Sequence, residues 1–428
     1  MGIQSSLYSG VSGLAANGNA MSVIGNNIAN SNTIGYKSSR TLFSDLLSSS
    51  ISGSGGNSQV GRGVGLSVVD NLFSQGTFEN TESNTDLAIE GPGFFMVRDP
   101  GGTSINYTRA GSFRFNQEGS LINPEGFKVQ GYLLDQSGSP VGDITDIKVE
   151  TRAFSPANAT SQITLSTNLN ANAPYLAGGF DPTDPANTSN YAASIRVFDS
   201  LGNTHLVTTY FYKLDPAVNP PGELKWGFRT TVDGAELNGG VPGALTEVGS
   251  GVLTFDDGGA LVATDPDPVR TNPLAWANGA NPGQQVTFNM NTTQYSSESV
   301  VVSQQQDGYS TGTLVKLDID ADGNVLGNFS NGQPRKLGRI ALAKFTNPGG
   351  LVKAGNNMFG QSDGSGPPVI GTVGSGVGKI FTNSLEQSNV DLAQEFVKMI
   401  TTQRGFQANS RIITTTDEML NELINLKR

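Results

Sequence analysis

The chain has 428 residues, of which 55 are glycine, none is cysteine and 15% are charged. This length predicts roughly two to four domains, and the glycine-rich composition favours a β-rich protein with many turns over a helical enzyme. The net charge of −11 argues against nucleic-acid binding, because phosphate contacts require clusters of lysine and arginine. No apolar run approaches the ~18 residues of a membrane-spanning helix, and no secretory signal peptide is recognisable.

The N-terminal segment is free of charged side chains up to Lys37. Apolar and small residues recur there every seven positions, which predicts a helix over residues 1–35 that packs closely against another helix. Interior glycines weaken such a helix by about 1 kcal/mol each relative to alanine, so we expect it to be ordered only where another subunit is present. The predicted packing seam consists of Leu7, Val11, Leu14, Gly18, Met21, Gly25 and Ile28.

The middle of the chain predicts two β domains, one inside the other. Residues 36–70 and 373–383 are rich in glycine and serine and are interpreted as linkers. Short alternating segments over 71–148 and 300–372 predict the strands of one discontinuous inner β domain. Residues 149–299 combine proline-containing loops with alternating strands, and we interpret them as an outer β domain inserted into the inner one.

The C-terminal segment 384–428 repeats apolar residues every seven positions and predicts a long helix with a thin apolar stripe. Ser384 or Ser388 is the expected N-cap. The predicted seam consists of Leu385, Leu392, Phe396, Met399, Phe406, Ile413, Leu420 and Ile424. The two ends therefore predict a terminal helical domain that pairs as a coiled coil. The pairing could form a stalk within one chain, but the glycine strip favours packing between subunits.

One acidic motif resembles a calcium-binding loop. Asp318, Asp320 and Asp322 precede Gly323 as in the start of an EF-hand, but Phe329 occupies the position of the bidentate glutamate. We therefore expect a hairpin turn.

Two other patterns also favour a structural interpretation. The segment Gly374–Lys379 lacks the first glycine and the final hydroxyl residue of a phosphate loop, which indicates a linker. The only histidine, His205, lies in an alternating segment and is expected to be an ordinary strand residue. No nucleophile, base and orienting group are brought together. We predict neither enzymatic activity nor a cofactor or metal site.

Both ends and both inner flanks resemble the bacterial flagellar rod and hook protein family. The family's N-terminal signature is similar to VSGLAANGNAMSVIGNNIANSNTIGYK, and its C-terminal signature is similar to NSLEQSNVDLAQEFVKMITTQRGFQANSRIITTTDEMLNELINL. Its first β domain resembles QGTFENTESNTDLAIEGPGFF and YTRAGSFRFNQEGSLINPEGFKVQGY, and the returning half resembles FSNGQPRKLGRIALAKFTNPGGLVKAGNNMF. The chain length is typical of the hook members. A rod-type axial protein is the near alternative, and a secreted β-rich adhesin is a remote one.

The resemblance implies a structural subunit that self-assembles into a helical tube outside the cell. Such a tube acts as a flexible joint that transmits torque from rod to filament. The implied partners are further copies of the chain, the distal rod protein, the hook cap protein, the hook–filament junction protein and the flagellar type III export apparatus. The resemblance implies export without a cleaved signal. It implies neither nucleic-acid binding nor insertion into a membrane.

Overall fold

The protein is mainly β, with one long α-helix near each end. Helix α1 spans Gly2–Ala29, α2 spans Pro185–Thr188 and α3 spans Leu392–Leu426, and short 3-10 helices span Gly234–Glu236 and Pro348–Gly350. The computed structural model describes residues 2–47, 49–53, 56–102, 104–135, 137–150, 154–176, 178–215 and 224–426.

The strands of the described residues are β1 (Ser39–Asp45), β2 (Ser49–Gly53), β3 (Gly56–Val60), β4 (Val64–Asn71), β5 (Phe78–Asn80), β6 (Leu87–Glu90), β7 (Phe94–Arg98), β8 (Ile105–Thr108), β9 (Arg114–Phe115), β10 (Leu121–Ile122), β11 (Lys128–Leu134), β12 (Pro140–Asp146), β13 (Phe154–Ser155), β14 (Gln162–Asn170), β15 (Tyr191–Phe198), β16 (Thr204–Lys213), β17 (Leu224–Asp233), β18 (Leu245–Phe255), β19 (Leu261–Asp265), β20 (Val269–Arg270), β21 (Thr287–Tyr295), β22 (Val300–Gln306), β23 (Gly312–Ile319), β24 (Asn324–Phe329), β25 (Pro334–Ile340), β26 (Leu342–Lys344), β27 (Val352–Gly355), β28 (Met358–Gly360), β29 (Val369–Gly371), β30 (Lys379–Thr382) and β31 (Ser384–Glu386).

The chain forms two compact units. The first comprises Met1–Thr151, Lys316–Asn328 and Pro334–Arg428, and the second comprises Arg152–Val315 and Phe329–Gln333. Because the chain leaves the first unit and later returns to it, the nested, mainly β architecture with terminal helices is confirmed. The finer division into terminal, linker, inner and inserted domains stays a prediction, since terminal helices and inner strands fall into one unit.

The first unit is built on a branched antiparallel sheet. Strands β24, β25, β11, β7, β8, β28 and β27 follow one another across it. Strand β7 lies centrally and is buried along almost its whole length, and its Phe94 packs edge-on against Phe73 and Phe345. These aromatic rings form part of the hydrophobic core of the first unit.

The predicted linker 36–70 contains paired strands, so its interpretation as irregular chain was wrong. Strand β1 pairs antiparallel with β4, and β2 pairs with β3; residues 48, 54 and 55 lie outside the described residues. Apolar and β-branched residues flank the glycine- and serine-rich centre, so the segment folds back on itself as a hairpin arm. Likewise β30, within the predicted linker 373–383, pairs with β6.

The C-terminal helix begins later than predicted. Ser384–Glu386 form β31, which pairs with β5, and Leu385 is therefore a buried strand residue. The N-cap is Asp391, whose carboxylate accepts hydrogen bonds from the backbone N–H groups of Ala393 (2.9 Å) and Gln394 (3.2 Å). An ionised cap at this end also suits the helix dipole. The proposed caps at Ser384 and Ser388 were wrong.

The second unit has two sheets around one core. Strands β15 to β19 form a five-stranded antiparallel sheet, and β20, β21, β14 and β22 form a four-stranded one in which β14 and β21 run parallel. Both sheets contribute to the core, with Trp226, Phe211 and Phe228 from the first and Leu165 and Phe288 from the second. This is the arrangement of a β-sandwich.

The acidic motif before Gly323 forms the expected hairpin turn. It joins β23 to β24, and Gly323 has a φ of +75°, a conformation that glycine adopts without strain. The Asp320 carboxylate accepts hydrogen bonds from the backbone N–H groups of Asp322 (3.0 Å) and Asn324 (2.8 Å). Among the described residues, no group of three or more histidine, aspartate and glutamate side chains is placed to hold a metal ion.

His205 lies on strand β16, but it is more than an ordinary strand residue. Its ring stacks on Trp276 at 3.6 Å between centroids. Its Nδ1 lies 2.8 Å from Glu236 Oε2, and its Nε2 lies 3.2 Å from Asp199 Oδ2. The imidazole therefore bridges two carboxylates at one end of the sandwich.

Asp199 is the centre of this polar cluster. Burial opposes its ionisation, but hydrogen bonds from Asn278, His205 and Asn203 outweigh burial and lower the pKa of the carboxyl from 3.8 to about 2. A carboxyl whose pKa is lowered by folding stabilises the folded state when it is ionised.

We therefore expect the second unit to lose stability in acid. The contribution of Asp199, about 2 kcal/mol, is present above the unfolded pKa near 3.8 and disappears as the pH falls towards 2. Urea unfolding from pH 5 to pH 2 measures it by tryptophan fluorescence, because Trp226 and Trp276 both lie in this unit. Asp199→Asn should flatten this pH dependence, whereas Asp257→Asn, an exposed control, should not. An unchanged pH dependence in Asp199→Asn would contradict the assignment.

Candidate assembly interface

Helices α1 and α3 pack against each other within the chain. A methyl group placed on Gly10 would lie 3.1 Å from Ile413 Cγ1, and Asn27 Nδ2 donates to Glu395 Oε2 over 3.2 Å. Residue numbers rise along α1 while those of their partners fall along α3, so the pair is antiparallel. The predicted pairing of the terminal helices is thus formed inside one chain.

The face of α1 that meets α3 is rotated from the predicted seam by about one residue. The positions on this face recur at alternating spacings of three and four and are small or polar, apart from one isoleucine: Gly10, Gly13, Asn17, Ala20, Ile24 and Asn27. Small residues allow two helix backbones to approach closely, whereas the large apolar repeat is displaced to the side. The sequence pattern identified the stripe of large residues and missed the row that makes the contact.

The predicted α1 seam is incompletely covered within the chain. Its larger members are half-buried, and Val11, Gly18 and Gly25 are exposed. A Cβ atom built on Gly18 or Gly25 would meet nothing within 4 Å. The half-buried members are Leu7, Leu14, Met21 and Ile28. This outward seam can therefore receive another helix without displacing α3.

The predicted α3 seam divides into two groups. Met399, Ile413 and Leu420 are half-buried, in line with a row that faces α1. The others on the helix are between 41% and 65% exposed: Leu392, Phe396, Phe406 and Ile424. Leu385 does not belong to the helix at all, because it lies in β31. Exposed and half-buried residues thus occur within the same seven-residue repeat, and the role of this seam in packing between subunits stays a prediction.

The first charged residue of the chain is also one of its most buried. Lys37 is 1% exposed, and its Nζ lies 2.6 Å from Glu386 Oε1 and donates to the Ser74 carbonyl over 2.7 Å. Burial lowers the pKa of Lys37, and the adjacent Glu386 carboxylate opposes that shift. The ammonium group is retained in the interior only through these partners.

Glu386 receives two further donors. Arg109 Nη1 lies 3.2 Å from Glu386 Oε2, and the Gly76 N–H donates to Oε1 over 2.9 Å. Arg109 also donates to the carbonyls of Ile89 and Gly91. Burial lowers the pKa of Arg109, and Glu386 again opposes the shift. We refer to Lys37, Arg109 and Glu386 as the charge cluster.

The charge cluster joins three parts of the first unit. Lys37 follows α1, Glu386 ends the last strand before α3, and Arg109 follows β8 of the branched sheet. The helix pair is therefore fixed to the sheet by buried ions. No spacing or periodicity in the sequence relates these residues; the one available signal was a charge-free run that ends at Lys37.

The hairpin arm exposes a set of large apolar side chains. Its Val64 N–H donates to Ser12 Oγ of α1 over 3.2 Å, which holds the arm beside the helix. A groove of about 480 Å³ is lined by Tyr8, Val11, Ser12, Ala15, Leu46, Leu47 and Arg62. The exposed apolar residues of the arm are Leu42, Phe43, Leu46, Leu47, Leu66, Val68 and Val69. Contiguous apolar surface of this kind marks interaction sites.

The helices themselves do not have the composition of membrane spans. Over the residues that the structure describes, neither long helix is apolar enough to cross a bilayer.

Family models match four segments of the chain, and a relative matches almost all of it. Four family models match: the flagella basal body rod protein model at 7–37, the hook protein FlgE/F/G D1 domain at 88–169, the basal body protein FlaE D2 domain at 168–309 and the rod FlgEFG protein C-terminal model at 382–426. The flagellar hook protein FlgE of Borreliella burgdorferi is 36% identical over 457 residues, covering 99% of each chain. The chain belongs to the flagellar hook protein family.

Other members of the family agree with this assignment. The FlgE hook protein of Escherichia coli is 35% identical over 428 residues, which cover 97% of this chain and 98% of that protein. These two sequence relatives confirm the hook member of the axial family over the rod-type and adhesin alternatives. A comparison of solved structures also finds the crystal structure of Helicobacter pylori hook protein FlgE2, which covers 72% of this chain and all of its own, with a TM-score of 0.49 and 15% identity.

Breaking the charge cluster should destabilise the first unit. Lys37→Met removes one of the two cations beside Glu386 and leaves a carboxylate under-compensated in the interior, with an expected loss of about 3 kcal/mol. The control is Arg40→Met, because Arg40 pairs with Asp70 at the surface and should cost less than about 1 kcal/mol. Denaturant unfolding followed by circular dichroism measures both. Equal losses in the two variants would contradict a structural role for the cluster.

Proposed function

We propose that the chain is the structural subunit of a flagellar hook and assembles into a helical tube that works as a flexible joint between rod and filament. The observation that carries this proposal is the outward seam of α1, which the described chain covers only in part. Its residues, proposed as subunit-packing positions, are Leu7, Val11, Leu14, Gly18, Met21, Gly25 and Ile28.

The chemistry of that seam suits repeated packing between copies. The helix carries no charged residue, so a neighbouring copy can cover it without removing ions from water. Gly18 and Gly25 leave space for a second helix backbone. A contact of this type, repeated between identical subunits without closure, generates a filament.

The outward residues of α3 and the hairpin arm supply matching surface. Leu392, Phe396, Phe406 and Ile424 lie exposed along α3, and we assign them to packing between subunits. The arm adds its exposed leucines and valines. Because glycine weakens α1 as an isolated helix, we infer that residues 1–35 become fully ordered when a neighbouring copy covers them.

The second unit, which contains all but the first three residues of the predicted inserted domain 149–299, is assigned to the outer layer of the tube. Its sliding on polar contacts would permit bending while the helices keep the register. The proposed partners are further copies of the chain, the distal rod protein, the hook cap protein, the hook–filament junction protein and the type III export apparatus. The proposed location is outside the cell, reached without a cleaved secretory signal. No enzymatic activity is proposed.

Deletion of the gene in the parent bacterium tests the function. Electron microscopy of isolated basal bodies should show rods without hooks, and re-expression of the full chain should restore hooks. Loss of the rod together with the hook would favour a rod protein, and intact hooks would refute the proposal.

A charge on the outward seam should block assembly without unfolding the helix. Gly18→Glu places a carboxylate where a neighbouring copy would cover it, while glutamate favours a helix more than glycine does. The full-length variant should form no tubes in the deletion strain. The matched control is Asn19→Glu, at an exposed position beside the seam, which should still form them. Normal tubes from Gly18→Glu, or equal loss from both variants, would refute the assigned seam.

A further inference from the structure

Two like motifs face each other across the helix pair. Helix α1 contains Gly13-Leu-Ala-Ala-Asn17, and α3 contains Gly405-Phe-Gln-Ala-Asn409. In each, the asparagine Nδ2 donates to the glycine carbonyl one turn earlier, over 2.7 Å in α1 and 3.0 Å in α3. The two motifs therefore have the same local geometry, although they lie at opposite ends of the sequence.

Each asparagine also covers the glycine of the other helix. A Cβ built on Gly13 would lie 2.7 Å from the Cγ, Nδ2 and Oδ1 atoms of Asn409. A Cβ built on Gly405 would lie 3.0 Å from Asn17 Oδ1. Each glycine thus leaves the space that the opposite asparagine occupies, and its carbonyl holds the asparagine of its own helix.

The apolar repeats alone do not specify this alignment. Leucines, methionines and isoleucines recur every seven residues on both helices, so a slip of seven positions would superpose similar side chains. After such a slip Asn17 would face Lys398 or Ile412, and Asn409 would face Ser6 or Ala20. In neither alternative does an asparagine meet a glycine.

We propose that Gly13, Asn17, Gly405 and Asn409 form a register clasp that fixes the antiparallel alignment of the two terminal helices. A polar residue in an otherwise permissive helix seam specifies register because the competing alignments cannot accommodate it. The same alignment brings Asn27 to Glu395. It also sets the position of the outward seam of α1 along α3. The importance of that position for assembly rests on the proposed function, whereas the clasp itself does not rest on it.

Disulfide formation in the full-length chain can report the register, because the chain has no native cysteine. Gly10→Cys with Ile413→Cys reports the observed alignment, since position 10 lies 3.1 Å from Ile413 Cγ1. Gly10→Cys with Phe406→Cys or with Leu420→Cys reports a slip of seven residues in either direction. A link within one chain gives a fast-migrating monomer on a non-reducing gel, and a link between chains gives a dimer.

The pair at 10 and 413 should form its intrachain bond at least ~10-fold faster than either slipped pair. In a chain that also carries Asn17→Leu and Asn409→Leu, which make the helix contact apolar, the 10–413 pair should link no more than about threefold faster than either slipped pair. Purified chain and assembled material are both scored. Any of three results would overturn the clasp. The preference could survive the double leucine change, the slipped pairs could link as fast as the 10–413 pair in the parent chain, or no intrachain link could form in either material.

A second set of variants separates register from folding. Gly13→Asn alone should lose the preference, because two asparagine side chains would compete for one space. Adding Asn409→Gly re-creates an asparagine opposite a glycine and should restore it. Ser22→Asn, at an exposed position of α1 outside both the clasp and the outward seam, should leave it unchanged. Failure of this restoration would refute the clasp, whereas failure of tubes to form with the 10–413 link intact would count only against the proposed function.

Discussion

The buried carboxylate of Glu386 is the constraint on which the first unit depends. It is completely inaccessible to solvent and receives Lys37, Arg109 and the backbone N–H of Gly76. An ion in the interior is tolerated only when its partners are fixed, so the segments that carry them have to converge. Those segments are the chain after α1, the strand before α3 and the end of β8 in the sheet. Formation of the charge cluster therefore fixes the positions of both helices relative to the sheet.

Within the helix pair, specificity and apolar area are supplied by different residues. The side of α1 that meets α3 is made mostly of glycine, alanine and asparagine, which contribute close approach and hydrogen bonds but little buried hydrocarbon. The large side chains, such as Leu14, Met21 and Phe406, lie on the flanks or outside. Since the hydrophobic effect scales with buried area, the exposed part of these side chains is apolar area that the pairing of the two helices does not bury.

The sequence predicted the β-rich nested architecture and both terminal helices because these follow from composition and from long periodic patterns. In α1 it identified the row of large residues and missed the adjacent row that meets α3, since periodicity reports where large residues recur and says nothing about which row two backbones approach along. Leu385 was assigned to a helix because the seven-residue repeat continues across β31 by coincidence. The charge cluster could not be predicted, because three single charges separated by up to 349 positions meet only through the fold.

The absence of disulfides gives these polar contacts added weight. A chain without cysteine has no covalent device for holding distant segments in one arrangement, and an apolar heptad stripe by itself allows the helices to slip. The clasp near the middle of the helix pair and the Asn27–Glu395 hydrogen bond at its end prevent such a slip with only a few polar side chains. Large apolar residues at these positions would hold the two helices together without selecting one alignment. Pairing through small and polar residues defines the alignment within the chain and leaves apolar side chains such as Val11 and Phe406 exposed.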